Sequence, residues 1–169
     1  MEDFTQIFYT YKDRVYNQVF RMLGSPQDAE EAVQDVFLRV YKGLSEFRGD
    51  AKISSWIFRI ATNVCISKWK QRKGNSSSIE DEVIQSQVMK QHYTPAPDVQ
   101  YEKEEYRKKI LDSIAKLSPE YSSIVTLYYF EEMSYEEIAQ ITDIPIGTVG
   151  TYLHRAKNDL KNILRRELA

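Results

Sequence analysis

Apolar residues along this chain recur at steps of three and four, and no stretch alternates apolar with polar. Steps of three and four line side chains along one face of an α-helix, whereas a half-buried strand needs a period of two. That single regularity predicts an all-α protein. Phe4, Phe8, Tyr11, Val15, Val19 and Met22 form the first stripe, which Gly24 ends. Ser25-Pro26 reads as the N-cap and first residue of a second helix, with Asp28 in the first turn, where a carboxylate meets the positive end of the helix dipole. Ala29, Ala32, Val33, Val36, Phe37, Val40 and Tyr41 lie on one side of that helix, and Gly43 closes it. An irregular stretch over 47–55 then leads into a third helix predicted from about Trp56 to Arg72.

The period fails once. From Gly74 to Gln100 the chain is polar and Gln-rich, carries Pro95 and Pro97, and predicts a flexible linker. A tether of about 25 residues reaches roughly 80 Å when extended, so the units on either side need not touch. Helical spacing returns near Tyr101 and runs to the end, with Ser118-Pro119 as another cap and first-turn pair. The expected architecture is two small helical domains, 1–73 and 101–169, joined by the linker 74–100.

The second domain carries a helix-turn-helix pattern. Ser134-Tyr-Glu-Glu137 is a capping box, in which Ser and Glu side chains satisfy each other's free amides. It opens a short helix with Ile138, Ala139 and Ile141, and Asp143-Ile-Pro-Ile-Gly147 is too rich in turn residues to continue it. Asp143 tolerates the left-handed geometry such a turn uses. Thr148 begins a further helix with Val149, Leu153, Ala156, Leu160, Ile163 and Leu164 on one face. Away from that face stand Thr148, Gly150, Thr151, Tyr152, His154, Arg155 and Lys157, which are suited to phosphates and base edges in a major groove. A plain αα-hairpin with a solvated basic face has the same spacing, and His154 is better placed for a phosphate than for a metal.

Charge is distributed unevenly. The formal net charge of −2 conceals a segment 46–73 at net +5, a segment 74–106 at net −5 and a segment 153–169 at net +3. Two basic patches between acidic segments point to two anionic contacts and to a separate, basic partner. On the second helix Asp28, Glu31 and Asp35 make an acidic ridge that Arg39 continues. Such a ridge repels nucleic acid and suits a basic protein surface, although an ordinary solvated helix face has the same pattern. The third helix interleaves Arg59, Lys68, Lys70, Arg72 and Lys73 with Trp56, Phe58 and Trp69, a mixture that fits single-stranded nucleic acid. Some of these aromatics must instead be core, because the domain has little else to bury.

Other chemistry finds little support. Cys65 is the only cysteine, and His92 and His154 have no neighbours at ligand spacing, so no disulfide or metal site is expected. No Gly-rich phosphate loop or nucleophile–base set occurs at motif spacing, so neither an enzyme nor a cofactor is expected. The segment Met1-Glu-Asp-Phe-Thr5 lacks the basic and apolar regions of a signal peptide, and no run approaches the ~18 apolar residues of a membrane span. The expectation is a cytoplasmic protein without membrane insertion.

Three stretches together resemble the extracytoplasmic-function subfamily of RNA polymerase sigma factors. Asp28-Ala-Glu-Glu-Ala-Val-Gln-Asp-Val-Phe-Leu-Arg-Val-Tyr41 resembles the family's polymerase-binding helix. Phe47-Arg-Gly-Asp50 with Trp56-Ile-Phe-Arg-Ile-Ala-Thr-Asn63 resembles its minus-ten recognition segment. Tyr135-Glu-Glu-Ile-Ala139, Ile146-Gly-Thr-Val149 and Leu153-His-Arg-Ala-Lys157 resemble its minus-thirty-five reader. The resemblance implies that Asp28, Glu31, Asp35 and Arg39 dock on the clamp of the polymerase's largest subunits. It implies that Arg48, Lys52, Ser54, Ser55, Trp56, Arg59, Asn63, Lys68 and Lys70 bind and melt the minus-ten element, with one base flipped from the non-template strand. Thr148, Gly150, Thr151, Tyr152, His154, Arg155 and Lys157 would read duplex DNA upstream. An anti-sigma factor is a further implied partner. A stand-alone helix-turn-helix regulator is the alternative, for which a dimer and palindromic sites would be expected.

The resemblance has one departure. After Thr148-Val149 the family commonly has a basic residue, Ser and Arg, where this chain has Gly150, Thr151 and Tyr152. With two charges missing, upstream binding should depend less on salt than is usual. A Gly150→Arg, Tyr152→Arg variant should steepen the plot of log affinity against log salt by about one unit per restored phosphate contact. Binding titrations across a salt series read this slope, and an unchanged slope would refute the assignment.

Overall fold

The computed structural model describes residues 3–74 and 98–168, with the predicted linker lying almost wholly outside them. Three helices make the first domain: α1 (Phe4–Leu23), α2 (Pro26–Gly43) and α3 (Ile53–Gly74). The second contains α4 (Asp98–Lys116), α5 (Pro119–Val125), α6 (Tyr135–Thr142) and α7 (Ile146–Leu168). The backbone of α5 runs on into a π-helical turn over Thr126–Phe130. No strand occurs among the described residues, as the spacing of apolar residues requires.

The boundaries follow local chemistry. Gly24 ends α1 in the left-handed conformation, at φ 76°, and its N–H donates to the Phe20 carbonyl. Ser25 caps α2 by accepting from the Asp28 amide, and Pro26 follows it in the first turn. Ser118 accepts from the Tyr121 amide and Ser134 from the Glu137 amide in the same manner. Asp143 ends α6 at φ 57°, ψ 43°. Its short polar side chain tolerates this region at less cost than a branched one.

Two expectations are corrected. The third helix begins at Ile53 rather than Trp56, because Ile53, Ser54 and Ser55 form a first turn that Lys52 closes by accepting the Trp56 amide at 3.1 Å. The irregular segment before it is therefore shorter, and it follows a 3-10 turn over Leu44–Glu46. The last helix starts at Ile146, not Thr148, since Pro145 already accepts the amides of Thr148 and Val149. The two domains, which the tether's length leaves free to part, touch here: α1 and α3 pack against α4, α5 and α6.

Each domain has its own apolar cluster. In the first, Ile7, Val15, Val19, Ala32, Val36, Val40, Ile57 and Ala61 are fully buried. In the second, Ile124, Leu127, Ile138, Val149 and Ala156 are. One residue crosses over. Phe58 belongs to α3, yet its fully buried ring lies in the second domain's cluster. Burying a side chain of this size contributes roughly 1.5–3 kcal/mol.

The first core also contains a polar pair. Gln18 Nε2 donates to Thr62 Oγ1 at 2.8 Å, and the Thr62 hydroxyl donates to the Phe58 carbonyl at 2.8 Å, all of it buried. Thr62→Val should destabilise the first domain by about 1–3 kcal/mol, because it strands the Gln18 amide without an acceptor. Adding Gln18→Met should recover most of that loss by removing the stranded group as well. Urea unfolding followed by tryptophan fluorescence measures both, since Trp56 and Trp69 are the only tryptophans and both lie in α3.

Candidate polymerase and nucleic-acid interfaces

The acidic ridge of α2 meets the basic helix α3 along a seam. Asp28 forms an ion pair with Arg72, whose guanidinium also donates to the Leu23 carbonyl at 2.8 Å. Burial lowers the pKa of Arg72 from its usual value. Lys68 Nζ lies 3.3 Å from Asp35 and 3.8 Å from Glu31. The ridge thus divides. Asp28 is half-buried and occupied inside the domain, while Glu31 and Asp35 have side chains more than half exposed at 59% and 52%. Arg39 is exposed one turn further on, beside exposed Leu38 and Tyr41.

The predicted minus-ten residues divide likewise. Arg59, Asn63 and Lys70 are exposed at spacings of four and seven, which places them on one edge of α3. Arg48 and Lys52 are exposed just before it, and Ser54 and Ser55 are half-buried in its first turn. Trp56 is half-buried: its ring packs against Phe47, with centroids 5.0 Å apart, and lies over Gly43. A Cβ on Gly43 would come within 3.0 Å of that indole, so the glycine makes room for it. Lys68 turns toward α2, away from the edge that carries Arg59 and Lys70. The ring of Trp69 is half-buried beneath the Lys73 ammonium, 4.7 Å from its centroid.

In the helix-turn-helix, Val149, Leu153 and Ala156 of α7 are buried, which turns Thr151, His154, Arg155 and Lys157 outward. The Thr151 hydroxyl donates to the Gly147 carbonyl at 3.1 Å. Lys157 is fully exposed, and a hydrogen bond to Tyr129 raises its pKa. Thr148 and Gly150 are half-buried, and a Cβ on Gly150 would meet the Tyr135 ring at an ordinary 3.5 Å. Tyr152 departs from the expected outward placement: it is half-buried, its ring 5.4 Å from that of Tyr121. Its large apolar surface is better covered than wetted, so Gly150→Arg alone is the cleaner of the two substitutions named above.

Sequence reasoning missed Asn158, exposed seven residues after Thr151 and hence on the same face. That spacing was available in the sequence. Arg14, Arg21 and Glu131 were also passed over. Arg14 Nε and Nη2 donate to Glu131 Oε2 at 3.1 and 3.0 Å across the domain boundary, and no local pattern links positions so far apart.

Comparison with known proteins accords with this geometry. Residues 7–75 match Sigma-70 region 2, and residues 107–160 match Sigma-70, region 4. The chain is 33% identical over 168 residues to the ECF RNA polymerase sigma factor SigW of Bacillus subtilis, covering 96% of this chain and 89% of that one. It is 28% identical to the ECF RNA polymerase sigma-E factor of Escherichia coli strain K12, covering 94% and 85%. The fold is shared with the sigma factor RpoE of Bartonella quintana, solved in complex with the anti-sigma factor NepR: TM-score 0.71, 20% identity and 98% of each chain. CnrH, solved with the cytosolic domain of CnrY, gives a TM-score of 0.65 at 20% identity over 96% of this chain and 88% of that one. The class defined by a region 2 helical domain followed by a region 4 helix-turn-helix is the sigma-70 type of transcription initiation factor. Within it, this chain belongs to the extracytoplasmic-function RNA polymerase sigma factors.

The split of the acidic ridge can be tested without polymerase. Asp28→Asn should cost about 1–2 kcal/mol of first-domain stability, because Arg72 keeps its desolvated charge and loses its partner. Glu31→Gln and Asp35→Asn should each change stability by less than about 0.5 kcal/mol, as is usual for exposed pairs. Urea midpoints of the three variants decide the matter.

Proposed function

We propose that Glu31 and Asp35 on α2 form the contact to core RNA polymerase and that the opposite edge of α3 handles the minus-ten DNA. The observation that carries this reading is the seam itself. Arg72 neutralises Asp28 within the domain, while Glu31 and Asp35, in reach of Lys68, stay more than half exposed on one side and Arg59, Asn63 and Lys70 are exposed on the other. A basic protein surface and a polyanionic strand can then be held at once, on separate edges, without competing for the same charges.

Melting needs an exposed strand-binding edge more than it needs catalysis. Arg48, Lys52, Arg59 and Lys70 supply backbone charge along about one line, and Ser55 and Asn63 offer hydrogen bonds to an unstacked base. Reading one flipped base specifies where opening starts, for an unstacking cost of a few kcal/mol. Upstream, Thr151, His154, Arg155, Lys157 and Asn158 face a major groove from α7, and the minus-thirty-five element is their target. The chain is read as a non-enzymatic subunit, acting in the cytoplasm where polymerase works. The division into 1–73, 74–100 and 101–169 is part of this reading, and the family matches over residues 7–75 and 107–160 support it. An anti-sigma partner, of the kind solved with RpoE of Bartonella quintana, is part of the proposal.

Binding to bacterial core polymerase tests it, with wild type beside Glu31→Lys/Asp35→Lys. The expected result is tight binding weakened at least about tenfold, or 1.4 kcal/mol, in the variant. Transcription of fragmented genomic DNA by the wild-type holoenzyme should then start at discrete new sites. Absence of core binding, with specific duplex DNA bound by the chain alone, would establish a stand-alone regulator instead.

A further inference from the structure

The outer face of α7 has a neighbour that helical spacing does not reveal. Gly150, His154 and Lys157 follow one another at steps of four and three, so they share a face about a quarter-turn from Thr151, Arg155 and Asn158. Three tyrosines run beside that face. A Cβ on Gly150 would meet the Tyr135 ring at 3.5 Å, and the Lys157 Nζ lies 5.5 Å from the centroid of Tyr129. Tyr128 bridges the two, its centroid 5.6 Å from that of Tyr135 and 5.0 Å from that of Tyr129. Those two steps match the ~10.5 Å that separate residues seven apart along a helix, so the row runs beside α7 for two turns.

The ends of the row are open to solvent. Tyr129 is 46% and Tyr135 36% exposed, and Tyr128 between them is half-buried. Tyr135 belongs to the first turn of α6, whereas Tyr128 and Tyr129 come from the π-helical turn, outside the helix-turn-helix. The Lys157 ammonium donates to the Tyr129 hydroxyl, which favours the charged lysine. A cation at the phenolic oxygen polarises the O–H, and the phenol keeps its own proton to donate outward. Lys157 keeps N–H donors to spare. The pair thus presents one cationic and one neutral donor, beside the face that points at base edges. In a major groove that flank meets the wall, which is phosphate.

We propose that the tyrosine row grips the DNA backbone beside the minus-thirty-five site, with Tyr129 donating its phenolic proton to the phosphate that Lys157 approaches. The grip presupposes α7 as the upstream reader, and it adds a contact from outside the helix-turn-helix. It also offsets what Gly150 lacks. A neutral donor releases no counterion, so it adds affinity without adding to the salt dependence.

Anisotropy titrations of the full chain on a fluorescein-labelled, mixed-sequence duplex of about two helical turns test the grip, since backbone contacts need no particular sequence. Tyr129→Phe removes one oxygen and keeps the ring. It should weaken binding at least about threefold while leaving the slope of log affinity against log salt unchanged. Lys157→Gln should weaken binding and lower the slope by about 0.9. In the Lys157→Gln background, Tyr129→Phe should cost less than it does alone, because the phenol is no longer polarised. Unchanged affinity in Tyr129→Phe, beside a clear loss in Lys157→Gln, would overturn the grip and leave α7 as the reader. A slope lowered in Tyr129→Phe as in Lys157→Gln would overturn it too, since the tyrosine would then act only by holding the lysine. Full additivity of the two substitutions would place their contacts on separate phosphates and overturn the shared one. A wild type that binds no duplex, or Arg155→Gln and Lys157→Gln variants that bind like it, would sink the reading of α7 and the grip with it.

Discussion

The seam between α2 and α3 organises the first domain. Its apolar side, from Ala32 and Val36 to Ile57 and Ala61, holds the two helices together, and its charged side sets what each presents to solvent. Arg72 against Asp28 is the inner member, half-buried and braced by the Leu23 carbonyl. Lys68 against Glu31 and Asp35 is the outer member, longer and more exposed. Exposed pairs contribute little to stability, and a desolvated charge that loses its partner costs much more. The same row of charges therefore grades from structural to available within two helical turns.

The second domain relies on caps more than on charge. Ser118 and Ser134 each accept a first-turn amide, and Asp143 takes the left-handed position that turns α6 into α7. Between them the π-helical turn over Thr126–Phe130 shifts the register of the backbone, so that Phe130 and Glu131 face α1. A regular α-helix through the same residues would place those side chains about a quarter-turn away. The recognition helix is held from behind by Val149, Leu153 and Ala156, which leaves its outer face free of packing duties.

These local devices meet at Phe58. An aromatic residue in a basic helix invites a reading as a base-stacking platform, and Trp69, half-buried under Lys73, fits that reading better. Phe58 instead fills the neighbouring domain, and the Thr62 hydroxyl secures its carbonyl from within the first. The side chains proposed to touch DNA and those that join the domains thus alternate along one helix, with Arg59 exposed and Phe58 buried as adjacent examples.

The sequence by itself determined the element types and most of their ends. Period, caps and turn residues are local, and their energies act within a few residues of each other, so Ser25-Pro26, Ser118-Pro119 and Asp143 could be placed by inspection. It also determined the family, because three motifs in order carry more information than any one. The outward faces of α2 and α7 were mostly legible for the same reason. Helical spacing placed Thr151, His154 and Arg155 on the exposed face of α7, and the same stripe continues to Asn158. The tertiary structure alone decided which charges are spent internally, that Tyr152 is covered by Tyr121, and that Phe58 and Glu131 join the halves. Those outcomes depend on contacts between residues distant in sequence, where nothing in the local pattern distinguishes a free carboxylate from a clamped one.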